Sequence, residues 1–324
     1  MQDLEYSEPS TDTEVYIGID VSKRELEIYF HPSGHTLTID NNKAGFATLR
    51  PYLTLPAQAY HATFEATGRY HRAIHRYLYT LGIKTSLVSP YQSRHFCKAM
   101  MQFTKTDKVD AHMLAKMGAM LEIQQVDPPP KALETLREWV TQRHQLITAK
   151  TALICQIKET NIPAILAMMQ TRLRCLIRQI ERCKTMISKQ IKAQPEMKAR
   201  YDILMSIPGI GFVNAVTLIT CMPELGHVDE KQAAALLGVA PYARDSGEFV
   251  GKRRIWGGRK NVRDSLYMAA LGNTRTKTGF RPFLDKLMER GKPYKVAIVA
   301  VMRKLIILAN ALLRDNRKWQ PIAP

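Results

Sequence analysis

Asp107 and Asp110 stand three residues apart in the stretch QFTKTDKVDAHMLAK, residues 102–116, at the start of a helical pattern. That spacing puts both carboxylates on one helix face, with Cβ atoms about 5 to 6 Å apart. Two such groups repel, so a fold that keeps both ionised normally places a cation between them. The plain alternative is a capped, solvated first turn, which Thr106-Asp107 would start well. Two further acids change the weighting. Asp20 closes the apolar run VYIGID and Glu65 closes YHATFE, and an acid ending a buried strand points out at the sheet edge, where ligand sites of open α/β sheets gather. Four converging carboxylates suit two hydrated divalent ions, most simply Mg²⁺. Such a pair cleaves phosphodiesters by activating the attacking oxygen and stabilising the departing one.

A second feature lies far along the chain. Residues 243–260, ARDSGEFVGKRRIWGGRK, surround one hydroxyl, Ser246, with Arg244, Lys252, Arg253, Arg254, Arg259 and Lys260. Asp-Ser-Gly is also ordinary turn chemistry, and pattern alone favours the turn. The segment reads as loop or hairpin rather than helix. A serine hydroxyl is a weak nucleophile, and with no neighbouring histidine its plausible activator is metal on the acid cluster. Between them, SIPGIG at 206–211 reads as helix, turn, helix. Gly209 and Gly211 would turn backbone N–H groups toward a phosphate, as in a helix-hairpin-helix motif, or would simply close two packed helices. There is no HExxH, Cys/His cluster or Walker loop, so zinc hydrolysis and nucleotide hydrolysis are poor competitors. His71 and His75, at i, i+4 between arginines, read as part of a polar helix face.

The elements that must position these groups follow from periodicity. Strands at 15–20, 26–30 and 36–39, a helix at 44–53, a strand ending at Glu65, a helix at 70–81, a strand from Ile83 and helices from Gln92 and Asp107 predict a mixed sheet with helices on both faces. That is the order of a ribonuclease H-like α/β fold. Asp127-Pro128-Pro129-Pro130 marks a boundary, because consecutive prolines cannot continue a helix. Beyond it Leu166, Met169, Leu173, Leu176, Ile180, Cys183 and Ile187 form a coiled-coil seam. Pro163 divides two arms, which predicts either an antiparallel hairpin or a coil between subunits. The expected domains are an acidic tail at 1–14, an α/β catalytic domain at 15–126, a coiled-coil region at 131–196 and an α-rich domain at 197–324. The last includes helices near 262–271 and 296–313.

Charge is divided along the same line. The chain carries +18 overall, yet residues 1–130 hold 13 basic and 14 acidic side chains and residues 131–324 hold 34 and 15. A near-neutral half with clustered acids joined to a basic half reads as chemistry first and nucleic-acid grip second. Five cysteines without CxxC pairing indicate neither a disulfide framework nor a zinc ribbon. The acidic start is the opposite of a signal peptide, and Arg303-Lys304 interrupt the apolar stretch 296–313, so a cytoplasmic, nucleoid-associated protein with no membrane span is expected.

GIDVSK at 18–23, FEATG at 64–68, KTDKVDA at 105–111, SIPGIG, and RDSG with GKRRIWGGR around Ser246 occur in an order that resembles the DEDD transposases of the insertion sequence 110 family, related to the Piv invertases. The GKRRIWGGR segment is most similar to the subgroup named for insertion sequence 1111. The resemblance implies a RuvC-like domain in which Asp20, Glu65, Asp107 and Asp110 hold Mg²⁺, and a C-terminal serine, Ser246, that attacks DNA to form a phosphoserine link. It also implies guidance by a noncoding RNA encoded in the element. A dimer or tetramer is expected, with Ser246 supplied in trans if the coil joins protomers. Two other readings stay open. One is a junction resolvase or nuclease in which water attacks; the other is a binding scaffold whose acids merely cap helices.

Overall fold

The structure, a computed structural model, describes residues 14–66, 68–104, 106–243, 245–247, 251, 253–276 and 279–321. The expected acidic tail, Arg244 and Lys252 lie outside the described residues. The chain folds as two units, residues 1–129 and 130–324, which meet inside the proline run.

The first unit is built on a five-stranded mixed sheet. Its strands β1 (Val15–Val21), β2 (Glu25–His31), β3 (Thr36–Asp40), β4 (Tyr60–Glu65) and β5 (Lys84–Val88) lie in the order β3-β2-β1-β4-β5. β2 runs antiparallel to β1 and to β3, whereas β4 is parallel to both β1 and β5. Alternation decides the faces. Ile17, Ile19, Leu26, Ile28, Ala62 and Phe64 are buried in one core with Phe46 and Leu49 of helix α1 (Lys43–Leu49) and Ile74 and Leu78 of α2 (Arg72–Thr80). The helix expected at 44–53 stops at Leu49 because Pro51 removes a donor, and a 3₁₀ turn over Arg50–Tyr52 follows.

The other sheet face belongs to α4 (Asp107–Met120), which follows α3 (Pro90–Ala99). Two glycines let α4 approach so closely. A Cβ on Gly18 would stand 1.9 Å from the Ala111 carbonyl oxygen and 2.4 Å from the Ala115 nitrogen, and one on Gly118 would meet Thr63 Oγ1 at 2.6 Å. The helix and the strands therefore touch backbone to backbone, a contact that no larger residue permits. His75 differs from its expected place on a polar face. It is buried against Phe64, and its Nε2 is 2.8 Å from the Val126 carbonyl, tying the segment before the prolines to the sheet.

The second unit starts with a hairpin of two long helices, α5 (Lys131–Glu159) and α6 (Pro163–Lys192). Leu176, Ile180 and Cys183 of the seam pack on Leu146 and Leu153 of the same chain, so the intramolecular hairpin is the arrangement found. Its base is not a separate domain. Leu133, Leu136, Ile187 and Ile191 share one core with α7 (Pro195–Ser206), α8 (Phe212–Cys221), α9 (Glu230–Leu237), α10 (Lys260–Asn273), α11 (Arg281–Glu289) and α12 (Tyr294–Arg314). α12 reaches a mean hydropathy of 2.1 and is long and apolar enough to cross a membrane. Arg303-Lys304 thus do not exclude a span by composition; burial accounts for the helix, since Ile298, Val301, Leu305, Ile306 and Leu312 are spent in the core.

Candidate functional site

Asp20 and Glu65 are brought side by side by strand register. β1 pairs with β4 so that Ile19 faces Phe64, leaving Asp20 and Glu65 as the next residue on each parallel strand. With the buried residues turned to one core, Tyr16, Gly18 and Asp20 on β1 and His61, Thr63 and Glu65 on β4 turn to α4. The first turn of α4 carries Asp107 and Asp110, and Thr106 Oγ1 caps it by accepting from the Val109 N–H at 3.3 Å. The glycine contacts lock this turn over the sheet at the strand ends.

The electrostatics report the convergence. Burial pushes the Asp20 carboxyl up to about 6, and the charges of Asp107, Asp110 and Glu65 push it the same way. Asp20, Glu65 and Asp110 line one cavity. Glu65 is further held by Ser93, whose Oγ donates to Glu65 Oε2 at 2.7 Å. Ser93 escaped the reading of the sequence, although SPYQ before it spells a capping box: Ser89 and Gln92 exchange bonds at the start of α3 and set Ser93 one turn in. Burial also pushes the Cys97 thiol up, with Asp110 and Glu65 adding to the effect.

This donor set is all hard carboxylate oxygen, which suits a divalent ion that keeps part of its water. Among the described residues no three His, Cys, Asp or Glu side chains close tightly enough to cage an ion as they stand. Asp20, Glu65 and Asp110 line an open space instead.

The second unit carries the serine. A short ribbon of β6 (Pro241–Tyr242) and β7 (Arg254–Ile255) brackets Ser246, which is exposed. Asp245 closes the ribbon by accepting from Arg253 Nη1 at 2.6 Å and from the Gly251 N–H at 3.1 Å. Its root is rigid. A Cβ on Gly258 would stand 2.2 Å from the Gly238 nitrogen, and the Arg259 guanidinium donates to both carboxylate oxygens of Glu224, at 2.6 and 2.8 Å, and to the Cys221 carbonyl. Burial raises the Glu224 carboxyl, but the Arg259 hydrogen bonds, a backbone hydrogen bond and the charges of Arg259 and Arg137 together outweigh it and hold the group below its usual range. Of the cations expected to grip nucleic acid, Arg253 and Arg259 are thus engaged in ion pairs, Lys260 pairs with Asp264 at 2.5 Å, and Arg254 is exposed.

At the helix-turn-helix, Gly209 has φ +86 and sits against α10, where a Cβ would meet the Ala269 oxygen at 2.5 Å. Asn273 Nδ2 donates to the Pro208 carbonyl at 2.7 Å. Gly209 therefore serves helix packing, whereas Gly211 caps α8 and is open to solvent.

Comparison with known proteins agrees with this division. Residues 17–160 match a family model described as a transposase of the DEDD IS110 type, and residues 201–285 match one described as transposase, IS116/IS110/IS902 family. The chain is 29% identical over 327 residues to the pilin gene-inverting protein of Moraxella bovis, spanning 95% of this chain and 98% of that protein. It is 22% identical over 277 residues to the transposase for insertion sequence element IS1111A of Coxiella burnetii, spanning 74% of each. The four acids fall inside the first match, which runs on into α5, and Ser246 falls inside the second; the chain belongs to the IS116/IS110/IS902 family of transposases, DNA-recombining enzymes.

Proposed function

We propose that this transposase cuts and rejoins DNA by pairing a RuvC-like, ribonuclease H-like carboxylate site, Asp20, Glu65, Asp107 and Asp110, with Ser246 as nucleophile. The observation that carries it is Asp20, whose carboxyl is pushed up to about 6 by burial and three neighbouring acids, an arrangement that asks for a cation. When bound, Mg²⁺ would supply charge neutralisation for the phosphate under attack. Glu65, held by Ser93, and the two aspartates on the locked first turn of α4 would fix where that phosphate lies. Ser246 Oγ would form a bond to phosphorus as the bond to one sugar oxygen breaks, the serine proton passing to water and the departing oxygen taking one up. The phosphoserine conserves the bond energy for the reverse attack by a new strand's hydroxyl, so no nucleotide cofactor is required.

The basic half, with 34 basic against 15 acidic residues, supports a polyanionic partner. We assign it DNA together with an RNA encoded by the element, the RNA resting on family resemblance alone. The working form is a homo-oligomer, dimer or tetramer, acting on the nucleoid in the cytoplasm. Arg254 and the open start of α8 at Gly211 would meet phosphates, while Arg259 holds the ribbon.

The test resolves purified protein, flanking RNA and labelled element DNA on a denaturing protein gel. A DNA adduct that requires Mg²⁺ and RNA and disappears in Ser246→Ala is expected. Free cut ends without an adduct, unchanged in the variant, would replace the serine by water. Mixing Ser246→Ala with Asp20→Ala protein should restore part of the adduct if the serine acts in trans.

A further inference from the structure

The cavity that Asp20, Glu65 and Asp110 line has a second wall of opposite character. Its volume is about 230 Å³, and Phe96, Cys97, Met113, Leu114 and Met117 line it together with the acids. Met113, Leu114 and Met117 are buried, so they form a floor rather than a rim. Phe103 lines the same cavity yet is 73% exposed, an aromatic ring left standing in solvent beside it. Arg94 and Lys98, one turn apart on α3, are exposed at the same cavity.

Phosphate and hydrated metal ions gain nothing from such a floor, because burying charge against apolar side chains is costly. A nucleic acid offers one flat, largely apolar group, the base, and each base has a face that stacks on an aromatic ring. The space lies below the roughly 300 Å³ at which pockets for drug-sized ligands begin. It has room for several waters, and so for a small flat group such as one base. Strand exchange opens base pairs beside the cut, so an unpaired base is available there.

We propose that this alcove receives a single nucleobase, unstacked from the strand whose phosphate lies at the carboxylates. Phe103 and Phe96 supply stacking surface, and Arg94 and Lys98 meet that strand's flanking phosphates. The proposal rests on the reading of the acids as the phosphate site. It makes the alcove the element that sets which phosphate of a strand reaches the acids.

Cys97 provides a direct reporter. In full-length protein carrying Cys155→Ser and Cys175→Ser, which removes the exposed thiols of the hairpin, Cys97 is alkylated with iodoacetamide at pH 8.5 in Ca²⁺. The Cys97 peptide is followed by mass spectrometry. Two probes are compared at equal occupancy by anisotropy: a thymidine octamer and an octamer of abasic tetrahydrofuran units. The thymidine octamer should slow Cys97 alkylation about tenfold or more while the abasic one leaves it near the free rate, with Cys221 unchanged under both. Phe103→Ala, at an exposed position, should cut the thymidine octamer's affinity about tenfold or more and leave the abasic octamer's alone, a factor in the range measured for one base stack. Equal protection by both octamers, or by neither, would overturn the proposal. Mn²⁺ binding, followed by paramagnetic resonance in wild type and Asp110→Asn, separates the two readings. Bound Mn²⁺ with no base-dependent protection sinks the alcove alone, whereas no Mn²⁺ binding sinks the carboxylate site beneath it.

Discussion

Asp20→Asn should make the metal-free protein more stable at neutral pH, and the size of the effect follows from its surroundings. The Asp20 carboxyl rises from 3.8 to about 6 on folding. At 1.36 kcal/mol per unit the shift corresponds to about 3 kcal/mol, and because the group is only partly buried, screening reduces this to about 1 to 2 kcal/mol. Between pH 4 and 6 the folded state holds a proton that the unfolded chain has released. Stability therefore falls as pH rises through that window, and the full cost is present above pH 6. Asparagine keeps the shape and removes the charge. All three tryptophans, Trp139, Trp256 and Trp319, lie in the second unit, so their fluorescence is blind to this change. Amide exchange at Ile17 and Ile19 of β1 reads it locally. In chelator at pH 7.5 these amides should exchange about 5 to 30 times more slowly in the variant, and at pH 4.5 only about a third of that free-energy difference should remain. Added Mg²⁺ should protect wild type more than the variant, since an ion that binds only the folded state stabilises it by mass action. A difference that does not change between the two pH values, or a variant that exchanges faster at pH 7.5, would refute the argument that the four acids share one field.

Gly18→Val should displace α4, because even the first carbon of the side chain would stand 1.9 Å from the Ala111 oxygen; loss of adduct formation with faster exchange in α4 checks this. Ser93→Ala should weaken Mn²⁺ binding about 10- to 100-fold by freeing Glu65, and Ser93→Thr, which keeps the hydroxyl, should recover most of it in a resonance titration. Arg259→Ala should lower the stability of the second unit by about 1 to 3 kcal/mol in urea, read from tryptophan fluorescence, because it leaves a half-buried Glu224 unpaired. Arg253→Ala, which breaks an exposed pair, should leave that stability nearly unchanged.

The five strands, the helix start at Asp107 and the divided long helices were legible because each rests on a local pattern: alternation, a cap, a proline. α11 was missed for the same reason, since RPFLDKLME is short and sits among turn residues. The cations around Ser246 look alike in sequence. Only the fold separates Arg259, spent on Glu224 and the Cys221 carbonyl, from Arg254, which faces solvent. Gly209 and Gly211 divide in the same way, one pressed on α10 and one open.

What the sequence determined by itself is the chemistry on offer: four acids at strand ends and a helix start, one serine among cations, and a charge imbalance that points to nucleic acid. Those are properties of residue type and local spacing, which survive without a fold. What the tertiary structure alone decided is which groups share an electric field and which space they enclose. Asp20 is pushed to about 6 because parallel register sets it beside Glu65 and because two glycines admit α4 at backbone contact. The apolar alcove beside it exists because Met113, Leu114 and Met117 turn inward from the same helix that carries Asp110. Both depend on distances between segments far apart in the chain, and Coulomb energy and packing act on distance, not on order along the backbone.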